Sequence, residues 1–150
     1  MDVILWRHAE AEDGGADLPD ADRKLTAKGR KHAKQMARWL EPRLPKQTTV
    51  CASPARRTQQ TARALTKKFE TLDALGTDTT AAALLKAVGW PGDKGTVVIV
   101  GHQPSLGQAA AKLLSGKSGA ISIKKSALWW FSQRDGEPLL LRTVMSPDLL

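Results

Sequence analysis

Residues 96–100 read Thr-Val-Val-Ile-Val, with no charge among them. A strand this uniformly apolar has no face to turn to water. It predicts the middle of a parallel sheet covered by helices on both sides. Two other strand-sized runs are Asp2-Val3-Ile4-Leu5-Trp6 and residues 48–53, the latter rich in β-branched residues. Helical periods separate them. Thr26 reads as an N-cap, followed by an apolar stripe at Ala33, Met36, Ala37 and Leu40, with Lys28, Lys31, Lys34 and Arg38 on the other side and Pro42 and Pro45 as stops. Ser53 and Pro54 read as the cap and first position of a second helix, running to about Phe69 and burying Ala62, Leu65 and Phe69. A third helix is expected over 79–88, closed by Gly89, and a fourth is marked by Leu106, Ala109, Ala110 and Leu113. In the last third, two apolar segments flank Arg134-Asp135-Gly136-Glu137, a hairpin turn signal. The expected fold is a single α/β domain over residues 1–150. It is a three-layer α/β/α sandwich, with a mostly parallel central sheet and an antiparallel C-terminal hairpin.

The net charge of +8 is unevenly spread: residues 10–22 are acid-rich and residues 23–46 strongly basic. Such a balance suits an anionic ligand, whether a phosphorylated small molecule, an acidic protein or a nucleic acid, or it forms a solvated face that only keeps the chain dispersed. The tandem Trp129-Trp130 in a strand sends one ring to each face, which favours packing over a base-stacking platform, so nucleic acid is not the expected partner. The single Cys51 reads as a buried small apolar residue and His32 as an exposed one. With one cysteine, no signal-like lead and no apolar stretch of membrane-spanning length, a cytoplasmic monomer without membrane contact is expected. Residues 10–17 lack the spacing of a calcium loop, and no zinc or two-metal pattern occurs, so neither metal nor cofactor is expected.

Each predicted parallel strand ends in residues able to hold an anion. The first ends in Arg7-His8, the second in Ser53-Pro54-Ala55-Arg56-Arg57-Thr58, and the third in Gly101-His102-Gln103-Pro104. In an open α/β sheet these carboxyl ends share one edge, where ligands bind. Two histidines and at least two arginines should therefore meet in one pocket, beside two helix N-termini with free N–H groups. Alone, each residue has a structural explanation; together they describe a phosphate site. A neutral imidazole can attack phosphorus to give a phosphohistidine. The charge spread over the equatorial oxygens can be met by guanidinium forks without a metal.

The segments Arg7-His8-Ala9, residues 25–29 (LTAKG), 53–62 (SPARRTQQTA) and 101–104 (GHQP), in this order, resemble the histidine phosphatase superfamily of phosphoglycerate mutase-like fold. The short length and the Arg-His-Ala opening are most similar to the small bacterial phosphohistidine phosphatases of the SixA type. The resemblance implies a phosphatase in which His8 is the phosphorylated nucleophile, Arg7 and Arg57 bind the phosphoryl oxygens and His102 stabilises the transferring group. Arg56, one position off the pattern, is a candidate substrate contact. Ala9 replaces the glycine common in the family. Larger members carry an acid in the segment matching residues 70–80, where this chain offers Glu70, Asp73 and Asp78, of which Asp73 is preferred. The resemblance points to a phosphohistidine protein as substrate. A small phosphomonoester remains an alternative, as does a non-catalytic basic module for anions or nucleic acid.

Overall fold

The computed structural model describes residues 1–150. Its strands are β1 (Asp2–Arg7), β2 (Thr48–Ala52), β3 (Glu70–Thr71), β4 (Thr96–Gly101), β5 (Leu128–Ser132) and β6 (Leu140–Met145). Its helices are α1 (Ala27–Leu40), α2 (Arg56–Leu65), α3 (Ala81–Ala87) and α4 (Ser105–Ser115). One six-stranded sheet runs β3-β2-β4-β1-β5-β6. The pairs from β3 to β1 are parallel, and β1–β5 and β5–β6 are antiparallel. The expected α/β sandwich with an antiparallel C-terminal hairpin is what the chain forms.

Strand periodicity divides the core into two layers. Val3 and Leu5 of β1 and Val97 and Ile99 of β4 pack with Leu84, Leu85, Leu106, Ala109 and Ala110 of α3 and α4. Their neighbours Ile4, Trp6, Val98 and Val100 face Met36, Ala37 and Leu40 of α1 and Ala62 of α2. Every residue of β4 is buried, as a strand covered on both faces must be. Trp129 stacks on Phe131, with ring centroids 6.3 Å apart, while the Trp130 ring enters the opposite layer. No helix is long and apolar enough to cross a membrane.

Three helix boundaries differ from the sequence expectation. Helix α2 starts at Arg56 with Ala55 as its cap, so Ser53 is not an N-cap and Pro54 is not a helical residue. The Ser53 backbone N–H continues the sheet by donating to the Val100 carbonyl (3.1 Å), and its own carbonyl accepts from the hydroxyl of Thr58 (2.9 Å). The same helix ends at Leu65, four residues early. Thr66 is extended, and its hydroxyl oxygen accepts from the Lys68 N–H (3.1 Å), a local bond that competes with another helical turn. Phe69 then lies outside the helix, half-buried under the Arg63 guanidinium. Helix α3 begins at Ala81, two residues after its expected start, because Thr80 caps it by accepting from the Ala83 N–H. The hairpin turn is as expected, with Gly136 at φ 72°.

The topology creates a crevice. β1 and β4 are adjacent and parallel, yet β1 leads to α1 on one side of the sheet and β4 leads to α4 on the other. Connections that diverge from neighbouring strands leave a gap at their carboxyl ends. Helix α1 closes tightly behind it. A Cβ on Gly29 would lie 1.9 Å from the Glu10 carbonyl oxygen, so only glycine lets the helix approach the segment leaving β1.

Candidate active site

The three strand exits are tied to each other by the backbone. The His8 N–H donates to the Gly101 carbonyl (3.1 Å), next to the Ser53–Val100 bond. On this framework the His8 and His102 rings face each other with centroids 5.4 Å apart and planes tilted by 57°. Arg7, half-buried, and Arg57, buried, join them. The structure thus brings together four of the residues picked out in the sequence.

Their hydrogen bonds assign ring tautomers. His8 Nδ1–H donates to the Ala9 carbonyl (2.8 Å), leaving the Nε2 lone pair uncommitted. His102 Nε2 lies 2.7 Å from Ser53 Oγ, which accepts the Ala55 N–H at 3.2 Å. The serine proton has no other acceptor, so the hydroxyl donates to Nε2 and the His102 proton sits on Nδ1. That Nδ1 is buried without a partner. Arg7 Nε and Arg57 Nε are buried in the same condition. A buried donor without an acceptor costs about 1–3 kcal/mol, so three of them on one site are hydrogen-bonding capacity that nothing in the fold uses.

Both imidazoles are held neutral. Burial above all pulls His8 down to about 3, with His102, Arg57 and Arg7 adding to it against the opposing Ala9 carbonyl. Burial, then Arg57 and Arg7, pulls His102 down to about 4, opposed by Asp20. Arg7 itself is lowered by burial and by Arg57, as expected of two guanidiniums sharing a cleft.

Supporting residues hold this geometry. Arg7 Nη1 donates to the Ile123 carbonyl (2.8 Å). The Ala9 N–H donates to Thr61 Oγ1 (3.1 Å), whose hydroxyl donates to the Arg57 carbonyl (2.8 Å). Ser126 is the only non-glycine residue at positive φ (65°), its N–H donates to the His8 carbonyl (3.1 Å), and its buried Oγ has no partner. Arg57 donates Nη1 to the Asp20 carbonyl (2.8 Å) and Nη2 to the Asp20 carboxylate (3.1 Å), which Arg23 also engages at 2.9 Å. The hydrogen bond from Arg23, opposed by slight burial, and then Arg57 hold Asp20 below the usual carboxylate range. Asp20, Thr61 and Ser126 were not identified as site residues from sequence. Thr61 lies in the 53–62 motif, whose Ser53 reads from sequence as a helix cap.

The remaining expected residues lie apart from this network. Arg56 is exposed in the first turn of α2, and Asp73 is exposed in the 3-10 turn Asp73–Leu75; neither hydrogen-bonds to the four site residues. Cys51 is buried, and burial, then Glu70, pushes its thiol up to about 11, so it is no nucleophile. His32 is half-buried, not exposed.

Comparison with known proteins agrees with this geometry. A family model described as histidine phosphatase superfamily (branch 1) matches residues 3–80. An uncharacterized protein of Picosynechococcus is 30% identical over 138 residues, 85% of this chain and 82% of that one. The solved structure of the protein histidine phosphatase SixA complexed with tungstate superposes with a TM-score of 0.81 at 25% identity, covering 99% of both chains. A mutant phosphoserine phosphatase from Entamoeba histolytica, in complex with phosphoserine, shares the fold at 16% identity and a TM-score of 0.74, covering 99% of this chain and 98% of its own.

Proposed function

Because the chain belongs to the histidine phosphatase superfamily (branch 1) and is a phosphatase of SixA-like structure, we propose that it hydrolyses phosphohistidine on a protein through a phospho-His8 intermediate. The observation that carries this reading is the tautomer of His8. With Nδ1–H committed to Ala9, a neutral Nε2 lone pair is available 5.4 Å, ring to ring, from a second imidazole whose Nδ1–H is uncommitted. His8 Nε2 attacks phosphorus as the bond to the leaving nitrogen breaks, and the substrate imidazole, already protonated on its other ring nitrogen, leaves neutral. Water then attacks the phospho-His8, its proton passing to solvent, and inorganic phosphate departs. Arg7, Arg57 and His102 Nδ1–H meet the charge on the equatorial oxygens throughout, the task a metal performs elsewhere. The tungstate bound by the SixA neighbour is a tetrahedral oxyanion of the kind this set of donors suits.

The substrate preference rests on Asp20. It is the carboxylate bonded to this machinery, and two arginines keep it ionised, which makes it a poor proton donor. An alkoxide leaving group needs a donated proton, whereas the nitrogen of a phosphoramidate can already carry one. Asp73 remains the candidate acid should a phosphomonoester be the substrate, and Arg56 a candidate contact to it. A cytoplasmic location fits the single buried thiol.

The test is covalent. Quenched turnover with labelled phosphohistidine peptide should leave a base-stable, acid-labile phosphate on His8, and His8→Ala should lose both label and turnover while keeping its circular dichroism. Turnover retained in His8→Ala would overturn the mechanism. Faster release from an alkyl phosphate than from phosphohistidine would overturn the substrate.

A further inference from the structure

Helix α1 carries its charge at a cost. Lys28, Lys31 and Lys34 are spaced three apart and Arg38 follows Lys34 by four, so like charges face each other along the helix surface. Each such pair destabilises a helix by a few tenths of a kcal/mol. Lys28 also sits in the first turn, against the positive end of the helix dipole. The helix contains no carboxylate, and none of the five ion pairs of the molecule includes one of its residues.

That surface runs into the candidate active site. Beside Arg7 lies a groove of about 520 Å³ whose lining is polar or charged except for Pro147, walled by Lys28 and His32 from α1 and by Lys124 and Lys125 from the loop before β5. Its two carboxylates are already engaged. Glu10 accepts from the Thr26 hydroxyl (2.9 Å), and Asp148 accepts from Lys124 (3.2 Å) and Ser146. Neither Lys28 nor Lys125 belongs to an ion pair, and with Arg7 and Lys124 they outnumber the carboxylates of the groove by four to two. Two of the four are close to the chemistry in chain terms: Arg7 precedes His8, and Lys125 precedes Ser126, whose N–H holds the His8 carbonyl.

We infer that this groove, with the lysine face of α1 that continues it, docks an acidic segment of the protein whose phosphohistidine reaches His8. The inference rests on the phosphatase reading above and adds the chemistry of the partner. A second phosphate of a small molecule would need only the groove. The positive surface extends past it to Lys31, Lys34 and Arg38 on a 14-residue helix, about 20 Å long, which matches a macromolecular surface. Long-range attraction of this kind raises association rates and weakens with salt.

Two synthetic phosphohistidine peptides test it, one flanked by aspartate and glutamate and one by serine and glycine. At low ionic strength kcat/KM should favour the acidic peptide about tenfold, and near 1 M salt the preference should vanish. Lys28→Glu/Lys125→Glu should bring the ratio to one or below, and Lys28→Ala/Lys125→Ala should reduce it. Taking a ratio cancels any loss common to both peptides. A wild-type ratio within twofold of one, or a ratio unchanged in the double variants, overturns the inference while leaving the phosphatase intact. No phosphate release from either peptide or from p-nitrophenyl phosphate would remove the phosphatase reading, and this inference with it. Tight, salt-sensitive binding of single-stranded RNA without peptide discrimination would reassign the surface to nucleic acid.

Discussion

Replacing Ser53 with alanine tests how the second imidazole is set up. The Ser53 hydroxyl bridges the Ala55 N–H at 3.2 Å and His102 Nε2 at 2.7 Å, both in a buried setting. Ser53→Ala removes both buried hydrogen bonds, each worth about 1 kcal/mol, and leaves the Ala55 N–H and His102 Nε2 without partners, for a loss of about 2 kcal/mol in all. In a chain of this size that corresponds to a fall in melting temperature of about 4–8 °C. The larger effect is on turnover. Without the serine, the His102 proton can move to Nε2, and Nδ1 becomes an acceptor facing an anion. Losing one donor to a phosphoryl oxygen should lower kcat by about 10²-fold, as loss of an oxyanion donor does elsewhere. Nitrogen-15 resonances of His102 should show the ring proton on Nδ1 in the native protein and on Nε2 in the variant. Ser53→Thr, which keeps the hydroxyl, should recover much of both. If Ser53→Ala keeps kcat within twofold, or if the native proton is found on Nε2, the tautomer argument is wrong. Lost stability with unchanged kcat would mean that the serine only packs the loop.

The buried neutral histidines also make stability pH-dependent. Both have folded values (about 3 and about 4) below the ordinary unfolded 6.5, so the unfolded chain binds more protons between these limits and stability falls as pH drops. Each imidazole should lose about 2 kcal/mol between pH 7 and pH 5 by urea unfolding, and His102→Asn should remove about half of the combined slope; equal stability at the two pH values would contradict the burial argument. Asp2, at the opposite end of β1, accepts from Trp130 Nε1 (2.8 Å), Ser132 Oγ (2.6 Å), Arg134 (3.0 Å) and Arg142 (3.0 Å). Asp2→Ala leaves buried donors of the C-terminal hairpin unpaired and should cost about 3 kcal/mol, read as a melting temperature about 10 °C lower with kcat little changed. Gly29→Ala should destabilise despite the better helix propensity of alanine, because its Cβ meets the Glu10 carbonyl oxygen at 1.9 Å; a more stable variant would show that α1 can move away from the chain leaving β1.

What the sequence made legible follows from where each side chain finds its partner. The layer order was readable because β1 and β4 carry their apolar residues in runs that only a covered sheet can use, and parallel strands must then bring Arg7, His8, Arg57 and His102 to one edge. The start of α2 was misread because Ser53 followed by proline satisfies every local condition for a helix cap. In the fold, however, the hydroxyl that would cap is taken by His102, 49 positions away. Asp20 escaped for a similar reason: among the acids of residues 10–22 it differs only by lying against Arg57, 37 positions away. Lys28 and Lys125 become neighbours of one groove only after α1 and the loop before β5 have closed around β1. Local competition for a hydrogen bond can be judged from sequence only while the competing partner is also local, and catalytic sites assemble partners from distant segments. A boundary misread at a polar strand exit, such as Ser53, is therefore itself a pointer to a side chain engaged elsewhere.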